Sequence, residues 1–192
     1  RKIEITKQLN SRAYDANSTR PVVGKERISI DKAKKLFKRL IPSASEEELV
    51  FFSKLVLDKF AKPNENLLGL YLNGKVGILT DSNEVSEQVL RHEIFHKIFN
   101  EYLTESERRG LIDALGGSEG RSIIEVEEEL ADLFMVFKDG GNIWLSNFFK
   151  RLLNKIKRWF GLIDQHEYTI NSVFQNILEG RYGKHLVPFP RE

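Results

Sequence analysis

Cysteine is missing from all 192 residues, which excludes disulfides and thiolate metal sites together and fits a cytoplasm-like compartment. No apolar run approaches the eighteen or so residues of a membrane-spanning helix, and no signal-peptide pattern opens the chain. A surplus of one charge is missing too: 30 Lys and Arg stand against 28 Asp and Glu, a formal net charge of +2. That is too near neutral to argue for nucleic acid from the total alone. Internal repeats and low-complexity tracts are also lacking. The first residue is arginine, as expected of a fragment, a processed product or a trimmed chain. What remains is 41% apolar and 30% charged, ordinary for a soluble globular protein with one domain and a sizeable core.

The pattern along the chain is α-rich with a small sheet. Residues 1–26 are polar and irregular. "ISIDKAKKLFKRLIP" predicts a short extended piece and then a helix, with Asp31 as N-cap and Pro42 as stop. In "SASEEELVFFSKLVLDKF", Ser43 with Glu46 or Ser45 with Glu48 forms a capping box, predicting a helix to about Phe60. "LLGLYLNGKVGILT" predicts a hairpin over Leu67–Thr80, turning at Asn73-Gly74. A long helix follows from a capping box of Asp81 and Glu84. Thr104 with Glu107 caps another, which stops at Gly116-Gly117. "RSIIEVEEELADLFMVF" predicts one more, ended by Gly140-Gly141, and two further helices precede a tail from Arg181.

One stretch carries chemistry. "VLRHEIFHKIF", residues 89–99, sets two imidazoles and a carboxylate in an otherwise largely apolar helix. Residues i and i+4 are rotated by about 40° and stacked one turn apart, so His92 and His96 can share an ion. Zn²⁺ accepts neutral imidazole and uses three protein ligands at a catalytic site. Glu93 does not face the ion squarely and can instead take a proton from water beside it, the H-E-x-x-H arrangement. Two ordinary histidines on a helix are the bland alternative, but buried imidazoles need polar partners. A third ligand must come from elsewhere. His166 and His185 are the other histidines, and the acidic run "EVEEELADLF" is the better source. Glu128 and Asp132 stack at i, i+4, which suits one carboxylate on the ion and one orienting a ligand histidine. The expectation is Glu128 as ligand, Asp132 as partner of His92, and Glu125, Glu127 and Glu129 mostly at the surface.

His92-Glu93-x-x-His96, 31 intervening residues, then Glu128-x-x-x-Asp132 resembles the gluzincin branch of zinc metallopeptidases. "EELADLF" resembles the E-x-x-A-[ND]-x-F segment of ImmA/IrrE-type peptidases. The hairpin before the helix, "LTESERRGL" after it, and the later "FFKRLLNKIKRWFG" and "INSVFQNILEGRYGKH" resemble zincin-like peptidase domains of large multidomain phage proteins, some packaged in virions. No third histidine follows soon after His96, which argues against the metzincin branch. The resemblance implies an α+β, zincin-like fold, mostly helical with a small hairpin or sheet beside the active-site helix. That likeness covers roughly residues 65 to 185; with the reading of the remaining residues, the chain divides into a polar arm (1–26), a helical N-terminal part (27–62), a zincin-like catalytic core (63–141), and C-terminal helices with a tail (142–192), together one compact domain. The location it implies is cytoplasmic, reached from a virion where the parent protein is packaged.

The implied activity is zinc-dependent endopeptidase chemistry with one Zn²⁺ held by His92, His96 and Glu128, and Glu93 as general base. Its partners would be protein or peptide substrates, the parent polyprotein or a host protein among them. By the same resemblance one limb of the hairpin would bind the peptide backbone as an added strand. Tyr71, Tyr102, His166 and Tyr168 are candidate oxyanion donors, and spacing selects none of them. Two rivals stand beside this reading. One is an inactive zincin-like structural or virion cargo domain, against which a complete Glu93 argues. The other is a module binding an anionic membrane or nucleic acid through helix 142–161, whose apolar face is flanked by Lys150, Arg151, Lys155, Lys157 and Arg158. Such a stripe more commonly packs into a core, with cationic stems covering its edges.

Overall fold

The computed structural model describes residues 13–15, 26–53, 67–117, 120–137 and 164–184. In chain order these form β1 (Ala13–Asp15), β2 (Arg27–Ser29), α1 (Ile30–Leu40), a 3₁₀ turn (Glu46–Glu48) and β3 (Leu49–Phe52). Next come β4 (Leu67–Leu72), β5 (Lys75–Leu79), β6 (Glu84–Ser86), α2 (Glu87–Glu101), α3 (Glu105–Ala114), α4 (Ile123–Val136), α5 (Asp164–Leu178) and a closing 3₁₀ turn (Arg181–Lys184). The architecture is α+β. Four strands form one sheet in the order β1-β4-β5-β3, and β2 pairs with β6 in a second.

The hairpin forms where the sequence places it. Asn73 and Gly74 both have positive φ, 50° and 78°, the twist a two-residue turn between antiparallel strands requires. β4 and β5 pair from Gly69 opposite Ile78 to Leu72 opposite Lys75. The region before the hairpin departs from the prediction. The Ser45–Glu48 capping box is present but holds a single 3₁₀ turn. The chain then extends as "LVFF", pairing in parallel with β5 from Leu49 opposite Val76 to Phe52 opposite Leu79. A local cap offers one or two hydrogen bonds, whereas a β-branched and aromatic run beside an available strand gains a ladder and a buried face. Residues 49–52 of the predicted helix are therefore strand, and residues 54–60 lie outside the described residues.

Two other helix starts move. Ser29, not Asp31, caps α1, its side chain accepting from Lys32 N; Asp31 sits in the first turn, where a carboxylate favours the helix dipole. Ser86 caps α2, because residues 84–86 pair with β2 instead of joining the helix. The Thr104–Glu107 box on α3 forms as read, and α4 gains a box of its own from Ser122 and Glu125. The basic segment 142–161 and the glycines at 140 and 141 fall outside the described residues.

α2 is the hub. Val89, Leu90, Ile94, Phe95 and Ile98 are fully buried, and His92, Glu93, His96 and Lys97 are buried with them. A helix enclosed on every side is a central core element, not an amphipathic surface helix. Phe95 of α2 meets Phe134 of α4 at 5.8 Å and Phe174 of α5 at 5.7 Å, and the last two meet at 5.2 Å. This triad clamps α2 against α4. Ring pairs of this kind add about 0.5–1.5 kcal/mol each beyond area burial. Among the described residues no helix is long and apolar enough to cross a membrane.

Candidate metal centre

The clamp sets the carboxylates of α4 against the imidazoles of α2. His92 Nε2 and His96 Nε2 lie 3.2 Å apart. Glu128 reaches between them, with Oε2 3.5 Å from His92 Nε2 and Oε1 3.4 Å from His96 Nε2. Ligands about 2.0–2.1 Å from one tetrahedral ion stand about 3.3–3.4 Å from each other. The two imidazole nitrogens and the Glu128 carboxylate thus form a triangle near the size a single zinc-like ion requires, each imidazole meeting a different carboxylate oxygen, and the group His92, His96 and Glu128 could hold a metal ion, with one ligand atom from each within 4.8 Å of the others. With two imidazoles and one carboxylate, three corners of a tetrahedron are supplied by protein and one is left for water or substrate.

Each imidazole is held from behind. His92 Nδ1 lies 3.1 Å from Asp132 Oδ1. His96 Nδ1 lies 2.7 Å from Glu127 Oε1. A carboxylate on Nδ1 fixes that nitrogen as donor, frees Nε2 as a lone-pair ligand, and locks the ring's orientation. Asn100, one turn after His96, donates from Nδ2 both to His96 O and to Glu127 Oε1, each at 2.7 Å. The second imidazole is braced from two helices.

Glu127 corrects the sequence reading, which placed it at the surface. It is 3% exposed, whereas Glu125 is exposed and caps α4 at Ser122, and Glu129 pairs with Arg121 at 2.6 Å. At about 100° per residue Glu127 points away from the ion when Glu128 points at it. The far side of the His96 ring lies in that direction. The signal that finds it is the need of every ligand histidine for an Nδ1 partner, which Asp132 meets for one ring only.

Burial by itself pulls the His92 pKa down. Hydrogen bonds to Asp132 and Glu128, with the charges of Glu93 and Glu128, outweigh it and push the value up to about 9. Four buried carboxylates around an imidazole pair, Glu93, Glu127, Glu128 and Asp132, make a negative pocket suited to a cation.

Glu93 is fully buried beside the triangle. A Cβ placed on Gly69 of β4 would stand 2.8 Å from Glu93 Cγ, 2.8 Å from its Oε1 and 2.7 Å from Val89 Cγ1. Only glycine lets the strand pass this close to the carboxylate. β4 is thereby the strand laid across Glu93.

Of the candidate oxyanion donors, Tyr71 donates its hydroxyl to Glu101 Oε1 at 2.7 Å, and the Tyr102 ring lies under Lys97 Nζ at 5.8 Å. The side chains of His166 and Tyr168, and all of His185, lie outside the described residues. Lys97 itself is 1% exposed and satisfied by Gly74 O, Glu101 and Glu48. It ties the hairpin turn and the 3₁₀ turn to the helix that carries the centre.

The chain matches no protein-family model, no curated protein and no solved structure.

Proposed function

We propose that this chain is a zinc-dependent endopeptidase of gluzincin type, with His92, His96 and Glu128 as ligands and Glu93 as general base. One observation carries the reading. Glu93 is a fully buried carboxylate beside the donor triangle but not part of it, and β4 gives up a side chain at Gly69 to admit it. A centre that only braces a fold is closed by its ligands and needs no such group.

A divalent ion held in the triangle supplies Lewis-acid polarisation of a carbonyl and lowers the pKa of water toward neutrality. His92 and His96 present Nε2 while Asp132 and Glu127 hold their Nδ1 protons. Glu93 accepts the proton of the attacking water and delivers it to the leaving amine. Because β4 runs across Glu93, an extended peptide pairing with that strand would bring its backbone alongside the base. The substrate class is therefore an unfolded or extended segment of protein.

Glu93→Gln tests this. The variant is expected to keep its metal and its thermal midpoint, while cleavage of a peptide library by zinc-loaded protein falls by roughly 10²–10⁴-fold. Equal cleavage by Glu93→Gln and wild type would place hydrolysis elsewhere.

A further inference from the structure

The edge of β4 that faces outward from the hairpin is already taken. Residues Ala13–Asp15 pair along it antiparallel, with Ala13 opposite Leu70, Tyr14 opposite Gly69 and Asp15 opposite Leu67. The residue opposite Tyr14 is thus the same glycine that packs on Glu93. β1 also approaches α2, the helix that carries the centre. In the order β1-β4-β5-β3 it is a terminal strand, three residues long, and its register slips between Tyr14 and Asp15.

A backbone N–H or C=O on β4 cannot serve two strands at once. We infer that β1 is a built-in competitor, a segment of the chain's own N-terminal arm that occupies the peptide-docking edge of β4 and must leave before a substrate can pair there. The inference rests on the peptidase reading for its assignment of that edge. A strand this short, with its register broken between Tyr14 and Asp15, is held by few ladder bonds and is displaceable. The rest of the fold need not follow it. Glu87 N–H donates to Glu26 O at 3.2 Å, and β2 is paired to β6 immediately afterwards. The chain is anchored there, so β2 stays in place when β1 leaves.

The test uses the 192-residue, zinc-loaded chain as wild type, Tyr14→Pro, Ala13→Pro, and Tyr14→Pro combined with Glu93→Gln. Proline removes an N–H and weakens the β1 ladder without touching β4. Zinc content and thermal unfolding report the fold. The first readout needs no activity: deuterium uptake over residues 67–72, and binding of a labelled synthetic peptide of residues 8–20. Tyr14→Pro is expected to raise the uptake and to bind the peptide roughly five- to tenfold more tightly than wild type, the scale of one net backbone hydrogen bond. The second readout is kcat/KM on a peptide library, expected to rise by a similar factor and to vanish when Glu93→Gln is added. Unchanged uptake in both proline variants would overturn the inference, and so would raised uptake with unchanged peptide binding and kcat/KM. Raised uptake and tighter peptide binding with no cleavage by any variant would support occupancy of the edge by β1 while overturning the peptidase reading.

Discussion

His96 Nδ1 and Glu127 Oε1 lie 2.7 Å apart, with Asn100 donating to the same oxygen from the turn below. Glu127 is the neighbour of Glu128, so one helix supplies both the third corner of the donor triangle and the brace behind its second. Glu127→Ala is expected to weaken zinc affinity by about 10–100-fold, the range for losing a partner of a ligand histidine, with the fold retained. Chelator competition measures it. An affinity equal to that of wild type would mean that the His96 ring is oriented by packing alone.

Zinc uptake should release protons. With its pKa pushed up to about 9 in the metal-free centre, the His92 ring is protonated at pH 7, and zinc takes only neutral imidazole. About one proton per zinc should therefore come from His92. Affinity should weaken about tenfold for each unit that pH falls below 9, until other groups join the titration. Calorimetry at pH 7 in buffers of differing ionisation enthalpy counts the protons. Asp132→Asn weakens the interaction that raises this pKa, and should lower both the number released and the affinity.

How much of this was legible in the sequence depends on how local each signal is. His92, Glu93 and His96 lie within five residues of one helix, so the geometry of a turn is enough to group them. Glu128 and Asp132 could be paired by the i, i+4 rule, but their approach to α2 depends on the Phe95, Phe134 and Phe174 clamp. Glu127 is hidden from a sequence reading because dividing a charge run by helix face relative to the ion leaves out the far side of the His96 ring. β3 is hidden for a different reason. Its cap is local and correct at Ser45, but its pairing partners on β5 are 27 residues away (Leu49 opposite Val76), and parallel pairing leaves no turn between the strands to announce it.

Gly69→Ala tests the close approach of β4. The added methyl meets three atoms inside 3.0 Å, two of them on Glu93. Either the strand or the base must shift, at a stability loss of about 1–3 kcal/mol. A displacement of the base by about 1 Å lowers kcat by roughly 10²-fold. Zinc content should stay at the wild-type level, because none of the three donors is touched. Wild-type kcat in a folded Gly69→Ala protein would show that β4 and Glu93 are not coupled.

Lys97 gives a stability test away from the chemistry. Lys97→Met removes a buried ammonium from Glu48 and Glu101, whose side chains are 30% and 31% exposed. Breaking a buried pair costs about 3–5 kcal/mol, and water reaching both carboxylates places this case near the lower end. The acid side follows from Glu48. Burial raises its pKa, but the hydrogen bond from Lys97, the Ser45 backbone N–H and the charges of Lys97 and Lys38 bring it below the ordinary 4.5. A carboxyl lowered by folding stabilises the protein above its unfolded pKa, and that contribution disappears as pH falls through the folded value. The stability gap between wild type and Glu48→Gln should therefore be full near pH 7 and close below pH 4.5. Denaturant unfolding across that range measures it, and a gap that widens toward acid would reverse the sign.

The most direct test is a crystal of protein purified without added metal, measured on both sides of the zinc absorption edge. One anomalous peak is expected, about 2.0–2.1 Å from His92 Nε2, His96 Nε2 and a Glu128 oxygen, with a fourth position facing Glu93. Zinc-saturated protein whose peak lies elsewhere, or whose Glu128 points away from the two imidazoles, would contradict it.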